Sequence, residues 1–206
     1  MLQQPRQEHS QRFWSVLLIL LAVLGFIYFY VLPFLSSSHT GSDGWSDTQQ
    51  RQIAFDLAQN VQRYRQQLNE RRRINYGDAY LEATGIATSF RPPNPFDGMD
   101  SPSGAKNDTH SEAKLKGWAL ATIRKSLQSL PSGSIINVLI FTQVKTCPDC
   151  RKAVPTWVQQ LRQIAPSGVR VNLYIWQQTN FDIDHPDQAP VRSSSDVESA
   201  VFASAS

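Results

Sequence analysis

Cysteine is scarce in this chain, two among 206 residues, which excludes a small secreted scaffold stapled by disulfides. Charge is sparse as well. Asp, Glu, Lys and Arg make up 18% of residues, the net charge is +3, and no long block of like charge occurs. So slight a balance, with a pI of about 9.0, does not by itself point to nucleic acid. No period of about 20–50 residues repeats, which removes solenoids and propellers. Glycine-rich phosphate loops of the form G-x-G-x-x-G or G-x-x-x-x-G-K-[ST] are missing, as is a G-x-S-x-G elbow. What the chain does have is hydrophobic residues, 41% of the total, and length for one ordinary domain plus an extra segment.

The long apolar run is Phe13–Leu35: 23 residues without a charge, with Ser15 the only polar side chain. About 20 apolar residues span a bilayer core as a helix, so the run predicts a transmembrane anchor after an N-terminal tail over residues 1–12. Trp14, Tyr28 and Tyr30 lie near its ends, where amphipathic rings favour the headgroup level. Arg6 and Arg12 precede it while Asp43 and Asp47 follow it, so the positive-inside bias places the rest of the chain on the non-cytoplasmic side of the membrane. A cleaved signal peptide, cut near Ser36-Ser37-Ser38, is the alternative. Residues 36–46, rich in Ser, Gly and Asp, read as a flexible linker.

Residues 47–176 read as one α/β domain. Ser46 and Gln49 form an S-x-x-Q capping pattern, followed at helical spacing by Ile53, Leu57, Val61, Tyr64 and Leu68, with Arg71–Arg73 as a last turn. Ala79–Phe90 predicts two short strands around Gly85. The stretch from Arg91 to Asp108, with four prolines and two glycines, predicts a long loop without regular structure. Thr109 opens a second helix with Leu115, Trp118, Ile123, Leu127 and Leu130 inward; Ile135–Thr142 is a central strand; Cys147–Ile164 is a third helix; Val169–Trp176 alternates as another strand. Trp157 and Trp176 fall at core positions. Residues 177–206 read as a polar tail with a short helix near Ser195–Phe202. Helices packed on one sheet give a three-layer α/β domain.

Four residues carry chemistry. His110 and Glu112 stand at the start of the second helix, Cys147 and Cys150 at the start of the third. A Cys-x-x-Cys at a helix start can put two thiolates on one ion, favoured by the positive helix end, and one His from a neighbouring helix start supplies a third ligand. Three protein ligands on zinc leave the fourth position for water, and a carboxylate two residues from the His can shuttle its proton. Blander readings exist: Thr109-x-x-Glu112 is a capping box in its own right. Asp182, Asp184 and His185 could hold a metal but read more simply as a polar turn, and Asn107-Asp108-Thr109 reads as a helix entry rather than a glycosylation acceptor.

The pairing of His110-Ser111-Glu112 with Cys147-Pro148-Asp149-Cys150, 34 residues apart, resembles the zinc-dependent cytidine deaminase-like superfamily, which carries H-x-E followed by P-C-x-x-C. It looks most like the bacterial polymorphic-toxin branch. The resemblance implies a three-layer sandwich with a mixed sheet, Zn²⁺ on His110, Cys147 and Cys150, and Glu112 as catalytic proton carrier. It also implies hydrolytic deamination of a base in a nucleoside or nucleic acid, and an immunity protein as partner if the chain is a toxin. Thr146 stands where the pattern has Pro, and the segment after Trp176 is short of the further elements common in the superfamily. The rival reading takes Cys147, Cys150, Arg151 and Pro155 as a thioredoxin-like C-x-x-C-[KR]-x-x-x-P motif for thiol–disulfide exchange. That fold requires two further paired strands after the redox helix and its next strand. A third reading is a non-catalytic envelope-assembly module in which the C-x-x-C is structural.

Overall fold

Ser46 opens the first helix as its sequence predicts. Its hydroxyl accepts the Gln49 N–H at 3.3 Å while Gln49 Oε1 accepts the Ser46 N–H at 2.9 Å. This helix, α1, runs Asp47–Leu68, and Asn69 ends it in the left-handed conformation, φ 48°. The computed structural model describes residues 44–69, 74–99, 110–185 and 190–206. Arg71–Arg73 and Asn107–Thr109 therefore lie outside the described residues.

Six strands follow: β1 Ile74–Ala83, β2 Ser89–Phe90, β3 Phe96–Met99, β4 Ile135–Thr142, β5 Arg170–Gln178 and β6 Val197–Ala205. Helix α2 (Ser111–Ser126) precedes β4, and α3 (Pro148–Ile164) joins β4 to β5. The sheet runs β2-β1-β4-β5-β6, with β3 beside β2 on the outer edge of β1. β1 is antiparallel to β4, β4 parallel to β5 through the α3 crossover, and β6 antiparallel to β5. α2 and α3 cover one face, burying Leu115, Ile123, Val154 and Leu161 against Leu81, Val138 and Ile140; α1 covers the other, burying Leu57 and Val61 against Leu139, Phe141 and Trp176. The result is the expected three layers around a mixed sheet. Trp157 and Trp176 are both core residues, as expected.

Several expectations are corrected. β1 starts at Ile74 rather than Ala79, although Asn75, Gly77 and Asp78 are poor strand formers. Tertiary packing decides here: a Cβ on Gly77 would stand 2.7 Å from the Phe141 carbonyl oxygen and 2.9 Å from Leu115 Cδ1. The proline-rich stretch, expected to be irregular, contributes β3, which pairs Phe96–Met99 with Ile74–Gly77; residues 100–108 lie outside the described residues. The tail over 177–206 is not a bare polar tail. β5 extends to Gln178, and the expected helix near Ser195–Phe202 is a single 3₁₀ turn, Ser194–Asp196, followed by β6. The reason is the open edge of β5, whose backbone groups pair with β6 along Val171–Gln178.

The anchor is corrected too. Among the described residues no helix is long and apolar enough to cross a membrane. α1 has the length, 22 residues, but carries Asp47, Arg51, Asp56, Arg63 and Arg65. The span expected at 13–35, with its flanking tail and most of the linker, lies outside the described residues. The transmembrane helix and the membrane location are therefore withdrawn from the reading of the fold.

Candidate metal centre

The centre is assembled at the starts of α2 and α3. α2 begins at Ser111, not at Thr109, with His110 as its N-cap residue and no side-chain capping bond. The capping-box reading of Glu112 turns on Thr109, which lies outside the described residues. The first turn rests on two strand glycines. A Cβ on Gly98 of β3 would strike the Ser111 amide nitrogen and stand 3.0 Å from Ser111 Cβ; a Cβ on Gly77 would stand 3.3 Å from the same atom. The absence of those two side chains lets the His110–Glu112 segment lie directly on β1 and β3.

Cys147 is the N-cap of α3, with Pro148 at the first helical position, where its missing N–H costs nothing. Cys147 Sγ accepts the Cys150 N–H at 3.2 Å, so the turn brings both sulfurs to one side. His110 Nδ1 lies 3.1 Å from Cys150 Sγ and 3.6 Å from Cys147 Sγ. The three ligand atoms all fall within 4.8 Å of one another, and they are the one such group among the described residues. This cluster could hold a metal ion. Cys150 is buried while His110 and Cys147 are half-buried, so one side stays open to solvent. Burial pushes the Cys150 thiol well above its ordinary range, and the Glu112 charge pushes it further in the same direction. A divalent cation supplies the positive charge that burial withholds, and its binding releases the proton. Donor set and spacing both fit a metal.

Glu112 is 4% exposed and stands outside the three-ligand group, yet its charge is felt at Cys150. Its Oε2 accepts the Ser111 hydroxyl at 3.2 Å. Ser111 Oγ in turn accepts Asn75 Nδ2 at 3.0 Å, and Asn75 also donates to Thr142 Oγ1 at 2.8 Å. Asn75 Oδ1 accepts Thr142 Oγ1 and the Val144 N–H, each at 3.1 Å. With both Asn75 donors committed, the single Ser111 hydrogen is directed at Glu112. Asn75, Ser111, Thr142 and the two glycines were not singled out from sequence. A glycine inside a strand pattern was the available signal.

The other candidates resolve more simply. Asp182 Oδ1 accepts the Asp184 N–H at 2.9 Å and Oδ2 faces His185 Nδ1 at 2.9 Å, an exposed polar turn. The thioredoxin-like arrangement needs two strands after β5, and among the described residues only β6 follows. No protein-family model matches the chain, and neither a curated protein nor a solved structure matches it at a significant level.

Proposed function

We propose that this chain is a zinc-dependent hydrolytic deaminase acting on a nucleobase, in a nucleoside or in nucleic acid. The observation that carries the reading is the convergence of His110, Cys147 and Cys150 from two helix starts, with the Glu112 carboxylate buried beside them. Two thiolates and an imidazole suit zinc, and three protein ligands are the catalytic rather than the closed structural arrangement. The order of elements, with the H-x-E helix and the C-x-x-C helix on one face of the sheet, agrees with the resemblance drawn from the motifs.

In this reading His110, Cys147 and Cys150 would hold the ion. Zinc, when bound, lowers the pKa of a water in its fourth position towards neutrality. Glu112 would carry both protons of the water: one from the attacking water to the ring nitrogen, then the one on the new hydroxyl to the amino group, which leaves as ammonia. Oxygen from water ends on the carbon that bore the amine, and ammonia leaves. Ser111 holds Glu112 Oε2 by its hydrogen bond and so orients the carboxylate. The burial of Glu112 keeps bulk water from short-circuiting that exchange.

The test is ammonia release by the zinc-loaded full chain from cytidine, deoxycytidine, adenosine, and single-stranded DNA and RNA oligonucleotides. Turnover of at least one, reduced about 10²–10⁴-fold in Glu112→Gln with zinc still bound, is the expected outcome. A zinc-loaded chain that converts none of them overturns the reading.

A further inference from the structure

Thr146 stands immediately before the ligand Cys147, where the resembled pattern carries proline. A proline there would fix the turn covalently but would offer no N–H. The structure solves the same problem differently. Gln177, near the end of β5 and 3% exposed, reaches across to the turn. Its Oε1 accepts the Thr146 N–H at 2.9 Å and faces Arg151 Nη2 at 3.5 Å. Its Nε2 donates to Glu198 Oε1 of β6 at 2.6 Å. Arg151, in the first turn of α3, donates from Nε to the Thr146 carbonyl at 3.0 Å. Both backbone polar groups of the residue before the ligand are therefore held, one by β5 and the other by α3 itself.

We infer that Gln177 is a positioning residue for the metal centre, holding the Thr146 amide so that Cys147 meets Cys150 and His110 at ligand spacing. This rests on the reading that the three-residue cluster binds a metal. The physical argument is one of tolerance. Cys147 is the N-cap of α3, so its sulfur is placed by the backbone of the turn rather than by a long adjustable side chain. A turn released by one hydrogen bond moves the sulfur directly, and partners that orient metal ligands typically affect affinity 10–100-fold. Glu198 and Arg151 fix the two ends of the Gln177 amide, so the acceptor oxygen, rather than the NH₂, faces Thr146.

Zinc and cobalt affinity of the full chain, by competition with a chromophoric chelator, tests this without any substrate. Gln177→Leu should bind both ions at least about 10-fold more weakly than wild type, and the cobalt absorption bands should change. Gln177→Asn, shorter by one methylene, is the milder second variant should the leucine fail to fold, and should weaken binding in the same direction. Pairing Gln177→Glu with Glu198→Gln restores an acceptor for Thr146 and Arg151 and reverses the bond to position 198. That pair should return affinity to within about twofold of wild type, which a loss of general stability would not do. Glu198→Gln alone leaves the acceptor in place and should bind normally. Wild-type affinity in folded Gln177→Leu or Gln177→Asn, or failure of the paired exchange to restore it, overturns the role of Gln177. A wild-type chain that binds neither ion overturns the metal reading itself.

Discussion

The two faces of the sheet use burial differently. Towards α2 and α3 the central strands present aliphatic side chains, among them Leu81, Val138, Ile140, Leu173 and Ile175, all fully buried. Towards α1 the same strands turn Tyr76, Asp78, Asn137, Asn172, Tyr174 and Trp176, equally out of solvent. On that face the polar groups answer one another: Asn172 Nδ2 donates to Asn137 Oδ1 at 2.8 Å, Ser204 Oγ to Asn172 Oδ1 at 2.7 Å, and Asn60 Nδ2 to Asp78 Oδ2 at 2.8 Å. Buried polarity that closes on itself specifies register and packing and needs no ligand. On the aliphatic face, polar and ligating groups gather at one end, where Thr142, Ser111, Glu112 and the C-x-x-C follow the last apolar layer. There the sulfurs and the imidazole converge with one side open to solvent. Density of buried polar atoms is thus a poor guide to a site in this molecule; convergence of ligand-type atoms at the edge of an apolar layer is the better one.

That contrast can be broken by mutation. Leu115 lies fully buried one turn beyond Glu112, on the aliphatic face. Leu115→Ala should cost about 3 kcal/mol of unfolding free energy, the usual penalty for lost transfer plus cavity, read by urea denaturation. A loss below about 1 kcal/mol would mean that this face is not the main apolar core. Gly98→Ala should cost less stability, about 1–2 kcal/mol, because β3 is a short edge strand, yet it should weaken zinc binding at least tenfold. Its new methyl would press on Ser111, between His110 and Glu112. Gly117, in the middle of α2, is the control, with open space around a built Cβ. Gly117→Ala should stabilise by about 0.5–1 kcal/mol and leave zinc affinity unchanged. Equal zinc affinity in both alanine variants would separate the glycine cradle from the centre.

The same contrast explains what was readable from sequence. The cluster of His110, Cys147 and Cys150 is legible because ligand chemistry resides in residue type, and each part of it stands at a helix start. The capping box at Ser46 and the apolar run of β4 are legible for similarly local reasons. The misses are non-local. β3 forms inside a proline-rich stretch because β1 offers it an edge, and β6 forms where a short helix was expected because β5 does. Gln177 carries no signal in its own neighbourhood; its meaning comes from Thr146, 31 residues earlier, and from Arg151 and Glu198. Pairing partners decide such elements, and a one-dimensional pattern does not name them.

The smallest expected effect sharpens the α1 face. Asp78 is fully buried on β1, its Oδ2 accepting Asn60 Nδ2 and its Oδ1 the Ala79 N–H, each at 2.8 Å. Burial raises its carboxyl above the ordinary 3.8, and the two hydrogen bonds and the Arg91 charge oppose that without cancelling it. A folded-state value raised above the unfolded one means that the fold favours the protonated form. Its contribution to stability is complete below the unfolded value and is lost as pH rises through the folded one. Asp78→Asn keeps an acceptor for Ala79, and Asn60 can rotate its amide to answer the new NH₂. The variant should therefore gain on wild type as pH increases from about 3.8 towards neutrality, and the difference should level off above the raised value. Urea unfolding of both proteins across that range isolates this one group, because Asp182 and Asp196, whose values are lowered, titrate alike in both. A difference that shrinks with rising pH would show that Asn60 and Arg91 outweigh burial. Asp78 would then be a charged anchor of the α1 face rather than a polar group tolerated within it.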